Sequence, residues 1–209
     1  MKKIEKLKSF ERKDELIKAA LDEFIQTDYE KASLNNIIKN AQISKGTFYY
    51  HFENKEALYL YLLENSANVK WTFINENSGK DQEQFAKMNL FDKFIYQAEL
   101  GYEFAKRYPQ YYQLSLRLSK EKNHPIYTKA IAYLGGNSEA LMRQMIDAAY
   151  ENHELDHHFD KEFIIKVLAY QFMHYDSIFD EVTDLEFNMK NLKLYVEFLK
   201  KGFSHKGDR

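Results

Sequence analysis

The sequence contains no cysteine, only two prolines and seven glycines, and no long run of apolar residues. The absence of cysteine excludes disulfide scaffolds, cysteine–zinc sites, iron–sulfur clusters and thiol catalysis. So few glycines and prolines cannot supply the turns of a many-stranded β-sandwich or barrel. The longest apolar run, Ala57–Leu63, is far shorter than the ~20 residues that cross a bilayer, and the first residues lack the apolar stretch of a signal peptide. We therefore expect a soluble, cytoplasmic protein with no membrane partner.

Apolar residues recur at helical spacing along almost the whole chain. Ile17, Leu21, Phe24 and Ile25 follow the spacing of one helix face, and period-two alternation is never sustained. Residues that can cap a helix start precede several of these stretches, namely Ser33, Ser44, Asn54, Asn89 and Asp160. The pattern predicts an all-α protein of about nine helices.

Residues 33–52 form the most informative segment. Two short helices are predicted here, joined by a turn of about three residues around Ala41–Ile43. This is the layout of a helix-turn-helix, whose second helix enters the DNA major groove. The spacing allows one apolar seam that fixes the angle between the helices, made of Ile37, Ile38, Ile43, Phe48 and Phe52.

The remaining residues of the second helix suit a DNA surface better than a protein core. Gly46 would let the helix backbone approach the bases, and Lys45 can donate to guanine or to phosphate. Lys55, in the first turn of the next helix, combines its charge with free N–H groups that suit a phosphate. Hydroxyl and imidazole groups that can contact phosphates or base edges come from Thr47, Tyr49, Tyr50 and His51.

The charge of the chain is unevenly distributed. The formal net charge is −2, from 30 basic and 32 acidic residues. Residues 1–13 hold six basic residues against two acidic ones, and residues 31–55 hold four against one. Residues 14–30 hold one lysine against six carboxylates. The N-terminal arm, residues 1–13, and the segment that contains the helix-turn-helix, residues 31–55, are thus locally basic, as contact with a polyanion requires. We call residues 31–55 the reading unit. A basic arm is equally typical of a solvated tail.

Residues 10–62 resemble the DNA-binding domain of the TetR family of transcriptional regulators. The matching stretches are Ile17–Phe24, Ser33–Ile38 and, most specifically, Ile43–Leu58 with its Ser-Lys-Gly-Thr-Phe-Tyr-Tyr-His-Phe run. The resemblance implies a three-helix DNA-binding domain over residues 1–54 and a helical ligand-binding and dimerisation domain over residues 55–209. It also implies DNA contacts at the motif positions Ser33, Ser44, Lys45, Gly46, Thr47, Tyr49, Tyr50, His51 and Lys55.

Some positions depart from the family pattern. Asp28 stands where a glycine usually follows the first helix, and Gln42 stands where the turn usually has a glycine. Because aspartate tolerates the left-handed conformation better than most residues, Asp28 is expected to preserve that helix end.

The family implies a small-molecule effector, and the C-terminal part is rich in aromatic residues. A ligand pocket is mostly apolar with a few placed polar groups, which suggests an apolar or aromatic compound. Candidate pocket residues are Trp71, Tyr102, Phe104, Tyr108, Tyr112, Phe172, His174 and Tyr175, although for each of them a place in the core is the stronger interpretation, since an aromatic residue at helical spacing usually belongs to the core.

The segment Asp160–Glu181 is apolar on nearly every side, which indicates a helix buried on more than one face. One face could meet the core and another a second subunit, or the helix could be the centre of a monomer. With the amphipathic terminal helix, it suggests a homodimer through Phe163, Val167, Tyr170, Leu192, Tyr195 and Leu199.

A competing signal lies at residues 153–157, which match the His-Glu-x-x-His pattern of zinc proteases. That pattern needs a continuous helix, whereas here it falls at a predicted turn, and no third ligand is evident. The sequence therefore favours a dimeric, effector-released repressor that binds an operator in double-stranded DNA and is not an enzyme. The residues predict neither a cofactor nor a functional metal. A zinc hydrolase and a helical adaptor are the alternatives.

Overall fold

The computed structural model describes residues 11–78, 82–134, 137–178 and 184–204. Within these ranges the chain is helical, and the only extended pairing is a single bridge between Leu155 and Ser204. The helices are α1 (Lys13–Gln26), α2 (Leu34–Asn40), α3 (Lys45–His51), α4 (Lys55–Ser78), α5 (Gln82–Lys87), α6 (Leu90–Arg107), α7 (Pro109–Lys120), α8 (Pro125–Leu134), α9 (Asn137–Glu151), α10 (Lys161–Met173), α11 (Tyr175–Ile178) and α12 (Leu185–Phe203).

The predicted all-α class is confirmed, with more helical segments than the nine expected. Part of the difference arises where a continuous helix was predicted over 160–181, because α10 ends at Met173 and α11 begins after a turn at His174. Residues 179–181 lie outside the described residues. Among the described residues, no helix is long and apolar enough to cross a membrane.

The expected capping residues stand at the starts of their helices. Ser33 and Ser44 accept the backbone N–H groups of Asn36 and Thr47. The same bond is made by the side chains of Asn54, Asn89 and Asp160. Each bond satisfies one of the amide groups that a helix start leaves without an intrahelical partner, so these boundaries follow from the sequence.

The chain divides into two compact units, which do not coincide with a simple N- and C-terminal split. The first unit comprises Met1–Phe73 and Phe104–Gly135, and the second comprises Ile74–Glu103 and Gly136–Arg209. The helix-turn-helix therefore shares one unit with α7 and α8. The functional division predicted at residue 54 stays a prediction.

The first unit has a core built from α1 to α4 with α7 and α8. Its largest fully buried side chains include Phe24, Phe48 and Tyr59, with Leu16, Ile37, Leu58, Leu62, Leu114 and Ile126 around them. No group among the described residues hydrogen-bonds the buried hydroxyl of Tyr59, and burial raises the pKa of this phenol above its usual range.

The second unit has its own core, formed by α6, α9, α10 and α12. The buried residues are Leu90, Phe91, Phe94, Ile146, Ala149, Leu155, Ile164, Ile165, Leu168, Ala169, Tyr195, Val196 and Leu199. Two residues that the sequence placed at a dimer surface, Tyr195 and Leu199, thus belong to this core.

Candidate DNA-reading site

The helix-turn-helix forms as the sequence predicts, on one apolar seam. Ile37, Ile38, Phe48 and Phe52 are buried, and Ile43 packs partly buried against them. The rings of Phe48 and Phe52 stack with centroids 5.7 Å apart. Because the seam occupies one face of α3, the residues between its members are directed away from the core.

The turn between α2 and α3 contains residue 42 in the left-handed conformation, with φ of 54°. Glutamine occupies this position where glycine would be free of strain. The side chain of Arg12 donates to the amide oxygen of Gln42 at 2.8 Å and to its backbone oxygen at 3.4 Å. Arg12 is itself left-handed, with φ of 66°. These bonds connect the start of α1 to the turn between α2 and α3.

The left-handed conformation expected at Asp28 is not found. This residue is not among the described residues with positive φ, and α1 instead ends on an extended Thr27. The Asp28 carboxylate pairs with Lys31 at 3.0 Å and with Arg117 at 3.4 Å. Charged side chains therefore stabilise this helix end without a left-handed residue.

The outward face of α3 carries the residues predicted to read DNA. Tyr50 is 83% exposed and Tyr49 is 56% exposed, and Lys45 and Gly46 are exposed as well. The ring of Tyr50 contacts His51 edge-on. Large aromatic side chains held on a rigid helix and exposed to solvent indicate a binding surface.

Three of the predicted contact residues also have structural partners. The hydroxyl groups of Ser44 and Thr47 are 2.9 Å apart, and Ser44 also accepts the Thr47 backbone N–H. The backbone N–H of Ser33 donates to the carboxylate of Glu23 at 2.7 Å. These bonds fix the first turns of α2 and α3.

Lys55 was predicted to bind a phosphate, and the structure gives its ammonium group other partners. It donates to the backbone oxygens of Tyr29 at 2.7 Å, Ala32 at 3.0 Å and Glu30 at 3.1 Å. An ammonium group has three donors, so all three are engaged. The same nitrogen lies 4.6 Å from the centroid of the Tyr29 ring, a favourable cation–π distance. A phosphate contact by this side chain stays a prediction.

Tyr29 is the aromatic neighbour of this lysine. Its ring packs 5.0 Å from Tyr59 and 5.7 Å from the imidazole of His124. Burial, reinforced by the nearby carboxylates of Glu56 and Glu30, raises the pKa of the Tyr29 phenol to about 12. The ring therefore stays neutral at physiological pH and remains a good partner for the Lys55 cation.

The predicted effector-pocket residues fall in both units. Trp71, Phe104, Tyr108 and Tyr112 belong to the first, and Tyr102, Phe172, His174 and Tyr175 to the second. Phe104 and Tyr108 lie together, with ring centroids 5.1 Å apart, and both contact Phe73. Trp71 is 56% exposed.

Three of these residues make structural contacts inside the second unit. Phe172 packs against Phe94 with ring centroids 3.9 Å apart. His174 stacks on Tyr170 at 4.0 Å, and the Tyr175 hydroxyl donates to the backbone oxygen of Asn188 at 3.0 Å. A role in effector binding stays a prediction for all eight residues.

The predicted dimer residues separate into two groups. Phe163 and Tyr170 are 50% and 61% exposed on α10, while Val167 between them is half-buried. Tyr195 and Leu199 are buried in the second unit's core, with Leu192 packed against it, which corrects their assignment to a subunit surface. The exposed apolar residues of α12 are Phe187, Leu194 and Phe198.

The His-Glu-x-x-His segment forms the turn that the sequence predicted. His153 has φ of 59°, and α9 has already ended at Glu151. The imidazoles of His153 and His157 stack with centroids 4.5 Å apart, and the carboxylate of Glu154 accepts the Leu90 N–H at 2.7 Å. A zinc-protease helix would instead place both imidazoles on one helical face with the glutamate free as a base. Among the described residues, no group of three or more potential ligands gathers as a metal site.

Comparison with known proteins agrees with this geometry. The family model described as "Bacterial regulatory proteins, tetR family" matches residues 16–62, which span α1 to the first part of α4. Residues 16–62 therefore form a helix-turn-helix domain of the TetR type. The match to this TetR model ends well before the second unit's main helices.

Two curated relatives extend the likeness beyond that domain. The Staphylococcus epidermidis regulator named "Biofilm operon icaADBC HTH-type negative transcriptional regulator IcaR" is 30% identical over 112 residues, covering 54% of this chain and 60% of IcaR. The "HTH-type transcriptional regulator QacR" of Staphylococcus aureus is 33% identical over 97 residues, covering 46% of this chain and 48% of QacR. The chain thus matches about half the length of these TetR-type relatives.

A solved structure shows that the whole fold is of the TetR type. A TetR family transcriptional regulator from Chloroflexus aurantiacus superposes with a TM-score of 0.65, covering 94% of each chain at 20% identity. At that identity the likeness is one of fold, and it supports the two-part helical architecture rather than a shared ligand.

Proposed function

We propose that the protein is a DNA-binding transcriptional repressor that inserts α3 into the major groove of its operator. The observation that carries the proposal is the outward face of α3, where Lys45, Gly46, Tyr49 and Tyr50 are exposed over a buried seam. Major-groove readers present a helix in this way, with donors along its exposed side. The negative sign of regulation is suggested by the name of the relative IcaR.

The reading residues are proposed to divide their roles by chemistry. Lys45 and the hydroxyls of Ser33, Thr47 and Tyr49 can donate to phosphates, which positions the helix without reading sequence. Tyr50 and His51, at the exposed end of α3, are proposed to contact base edges. Gly46 has no side chain, so it lets the helix backbone approach the bases closely. TetR-family regulators are DNA-binding proteins rather than enzymes, and we propose no catalytic role here.

The first experiment selects operator fragments from genomic DNA with the purified protein. We expect a near-palindromic sequence whose half-sites are spaced by about 10 base pairs or a multiple of that. The Tyr50→Ala variant should bind it about tenfold more weakly and with altered base preference. Because Tyr50 is 83% exposed, the free energy of unfolding should change by less than about 0.5 kcal/mol.

The matched control replaces an exposed aromatic residue away from α3. Trp71→Ala, at 56% exposure on α4, should leave operator affinity unchanged when no effector is present. If the selected DNA is no richer in any motif than the starting pool, the protein does not read DNA sequence. If Tyr50→Ala binds as the unaltered protein does, α3 is not the reading helix.

We further propose that the protein acts as a homodimer through the exposed apolar residues of α10 and α12. Phe187, Leu194 and Phe198 recur at spacings of seven and four residues, so they lie along one side of α12. Phe198 is 71% exposed and Leu194 is 56% exposed. Monomeric proteins rarely leave such a stripe uncovered, and a two-fold operator calls for two reading heads.

Glutamate at the centre of the stripe tests the dimer. Leu194→Glu and Phe198→Glu should each convert a dimer to a monomer in light scattering and weaken operator binding at least a hundredfold, since half of the contacts are lost. Ile131→Glu, which puts the same charge on a 39% exposed apolar residue of α8, should change neither. A monomeric unaltered protein, or dimers that survive both substitutions, would rule out this surface.

The effector and the cellular location complete the proposal. The aromatic residues singled out in the sequence favour a small apolar or aromatic molecule, which must bind one conformation better than the other to release the operator. A cytoplasmic location follows from access to the chromosome. Zinc hydrolysis at residues 153–157 has less support, because the segment is a turn whose Glu154 is already engaged.

A further inference from the structure

The C-terminal end of α1 is completed by a side chain distant in sequence. The last carbonyls of a helix lack intrahelical partners, and here those of Ile25 and Gln26 accept hydrogen bonds from Arg117 of α7. The distances are 3.2 Å from Nε to the Ile25 oxygen and 3.0 Å from Nη2 to the Gln26 oxygen. The remaining nitrogen, Nη1, lies 3.4 Å from the Asp28 carboxylate. The guanidinium thus bonds residues 25, 26 and 28 of one segment.

A carboxylate one helical turn further along holds the opposite kind of backbone group. Glu121, four residues after Arg117, accepts the backbone N–H of Tyr29 at 2.8 Å. Glu121 is the C-cap residue that directly follows the last residue of α7. Within residues 25–29, the Arg117 cation therefore bonds backbone oxygens and the Glu121 carboxylate bonds a backbone N–H. Because one group donates and the other accepts, neither can replace the other.

The segment held in this way leads directly into the reading unit. Beyond Tyr29, the chain passes through Ala32 to Ser33, which caps α2. Lys55, the first residue of α4, donates to the backbone oxygens of Tyr29, Glu30 and Ala32 in the same segment. Residues 27–33 contain no helix of their own. These side-chain bonds therefore help to hold them, together with the bond from the Ala32 N–H to the Asp28 oxygen and the packing of the Tyr29 ring on Tyr59.

We propose that Arg117 and Glu121 are positioning residues of the DNA-reading unit, so that the placement of α7 sets the affinity for the operator. Neither residue lies in the helix-turn-helix or in the segment that matches the family model. They act through the backbone of residues 25–29, which orients α2 and, through the apolar seam, α3. This inference rests on the proposed function, because operator affinity is its readout.

The test measures operator affinity and its salt dependence in variants that remain folded. Arg117→Met keeps an extended side chain but removes every donor, and we expect about tenfold weaker operator binding. Glu121→Leu should have a similar effect, whereas Glu121→Gln should retain near-normal affinity, since its amide oxygen can still accept the Tyr29 N–H. The slope of log K against log salt should stay unchanged in all three, because no phosphate contact is lost.

A control separates positioning from general loss of stability. Ile146→Ala removes a fully buried side chain in the second unit and should lower the free energy of unfolding while the folded protein keeps its operator affinity. The Arg117→Met and Glu121→Leu effects should also combine to less than their sum, since both residues hold one segment.

Each outcome decides the inference. Operator affinity within twofold of the unaltered protein in folded Arg117→Met overturns it, and so does a shallower salt slope, which would make Arg117 a phosphate contact. Equal loss in Glu121→Gln and Glu121→Leu would overturn the role assigned to Glu121, because its charge and not its bond to the Tyr29 N–H would then set the affinity. If the unaltered protein binds no operator at all, the proposed function fails first, and that result is distinct from these.

Discussion

Replacing Gly46 with alanine should leave the protein at least as stable and weaken its binding to DNA. Among the described residues, a Cβ atom at Gly46 would meet only the Ser44 hydroxyl, at an ordinary contact distance of 3.5 Å. Alanine is preferred over glycine inside a helix by up to about 1 kcal/mol, so the free energy of unfolding should be unchanged or slightly higher. The protein itself therefore does not require glycine here.

DNA does require it if α3 is the reading helix. The added methyl group would stand between the helix backbone and the base edges, and we expect operator affinity to fall at least tenfold, about 1.4 kcal/mol. Chemical denaturation and fluorescence anisotropy measure the two quantities. Gly101→Ala is the matched control, since a Cβ there meets nothing within 4 Å; it should be equally well tolerated and bind DNA normally. Unchanged affinity in Gly46→Ala would argue that α3 does not approach the bases closely.

Replacing Lys55 with methionine should weaken operator binding and lower stability together. The substitution keeps much of the side-chain length but leaves three backbone oxygens of residues 29–32 without their donor. Hydrogen bonds to a charged group contribute about 1.5–3 kcal/mol, and we expect a loss of about 2 kcal/mol in the free energy of unfolding. Operator affinity should fall because the segment that leads into α2 is released.

The salt dependence shows which role Lys55 has. Loss of a phosphate contact reduces the slope of log K against log salt by about one per subunit, whereas loss of a positioning bond leaves the slope unchanged. The exposed Lys45 provides the contrast, because Lys45→Ala should give the shallower slope with unaltered stability. A shallower slope in Lys55→Met, with stability preserved, would restore the phosphate contact that the sequence predicts.

The sequence predicts the reading unit well because its determinants are local. The caps Ser33 and Ser44 and the apolar positions of α2 and α3 all lie within twenty residues, and the structure places them as expected. The partners of Lys55 could not be predicted in the same way. They are backbone oxygens of a preceding segment, and backbone atoms leave no residue type for a pattern to detect.

The C-terminal half shows a different limit. On α12 the apolar residues occupy two sides, one with Tyr195 and Leu199 and one with Leu194 and Phe198. Helical spacing identifies apolar stripes but does not say which one meets the core. That choice depends on α6, α9 and α10, so the sequence assigned the buried stripe to a partner. The break at His174 was missed for a similar reason, since apolar residues continue on both sides of it.

The bond between Arg12 and Gln42 makes the effects of two distant substitutions depend on each other. A left-handed residue other than glycine costs about 1–2 kcal/mol, and Arg12 offsets part of that cost at position 42 while being left-handed itself. Loss of Arg12 would be more harmful with glutamine at position 42 than with glycine there, which needs no partner. The order of substitutions at these two positions is therefore constrained. A change of Gln42 to glycine has to come first, because Arg12 can be replaced without that added cost only afterwards.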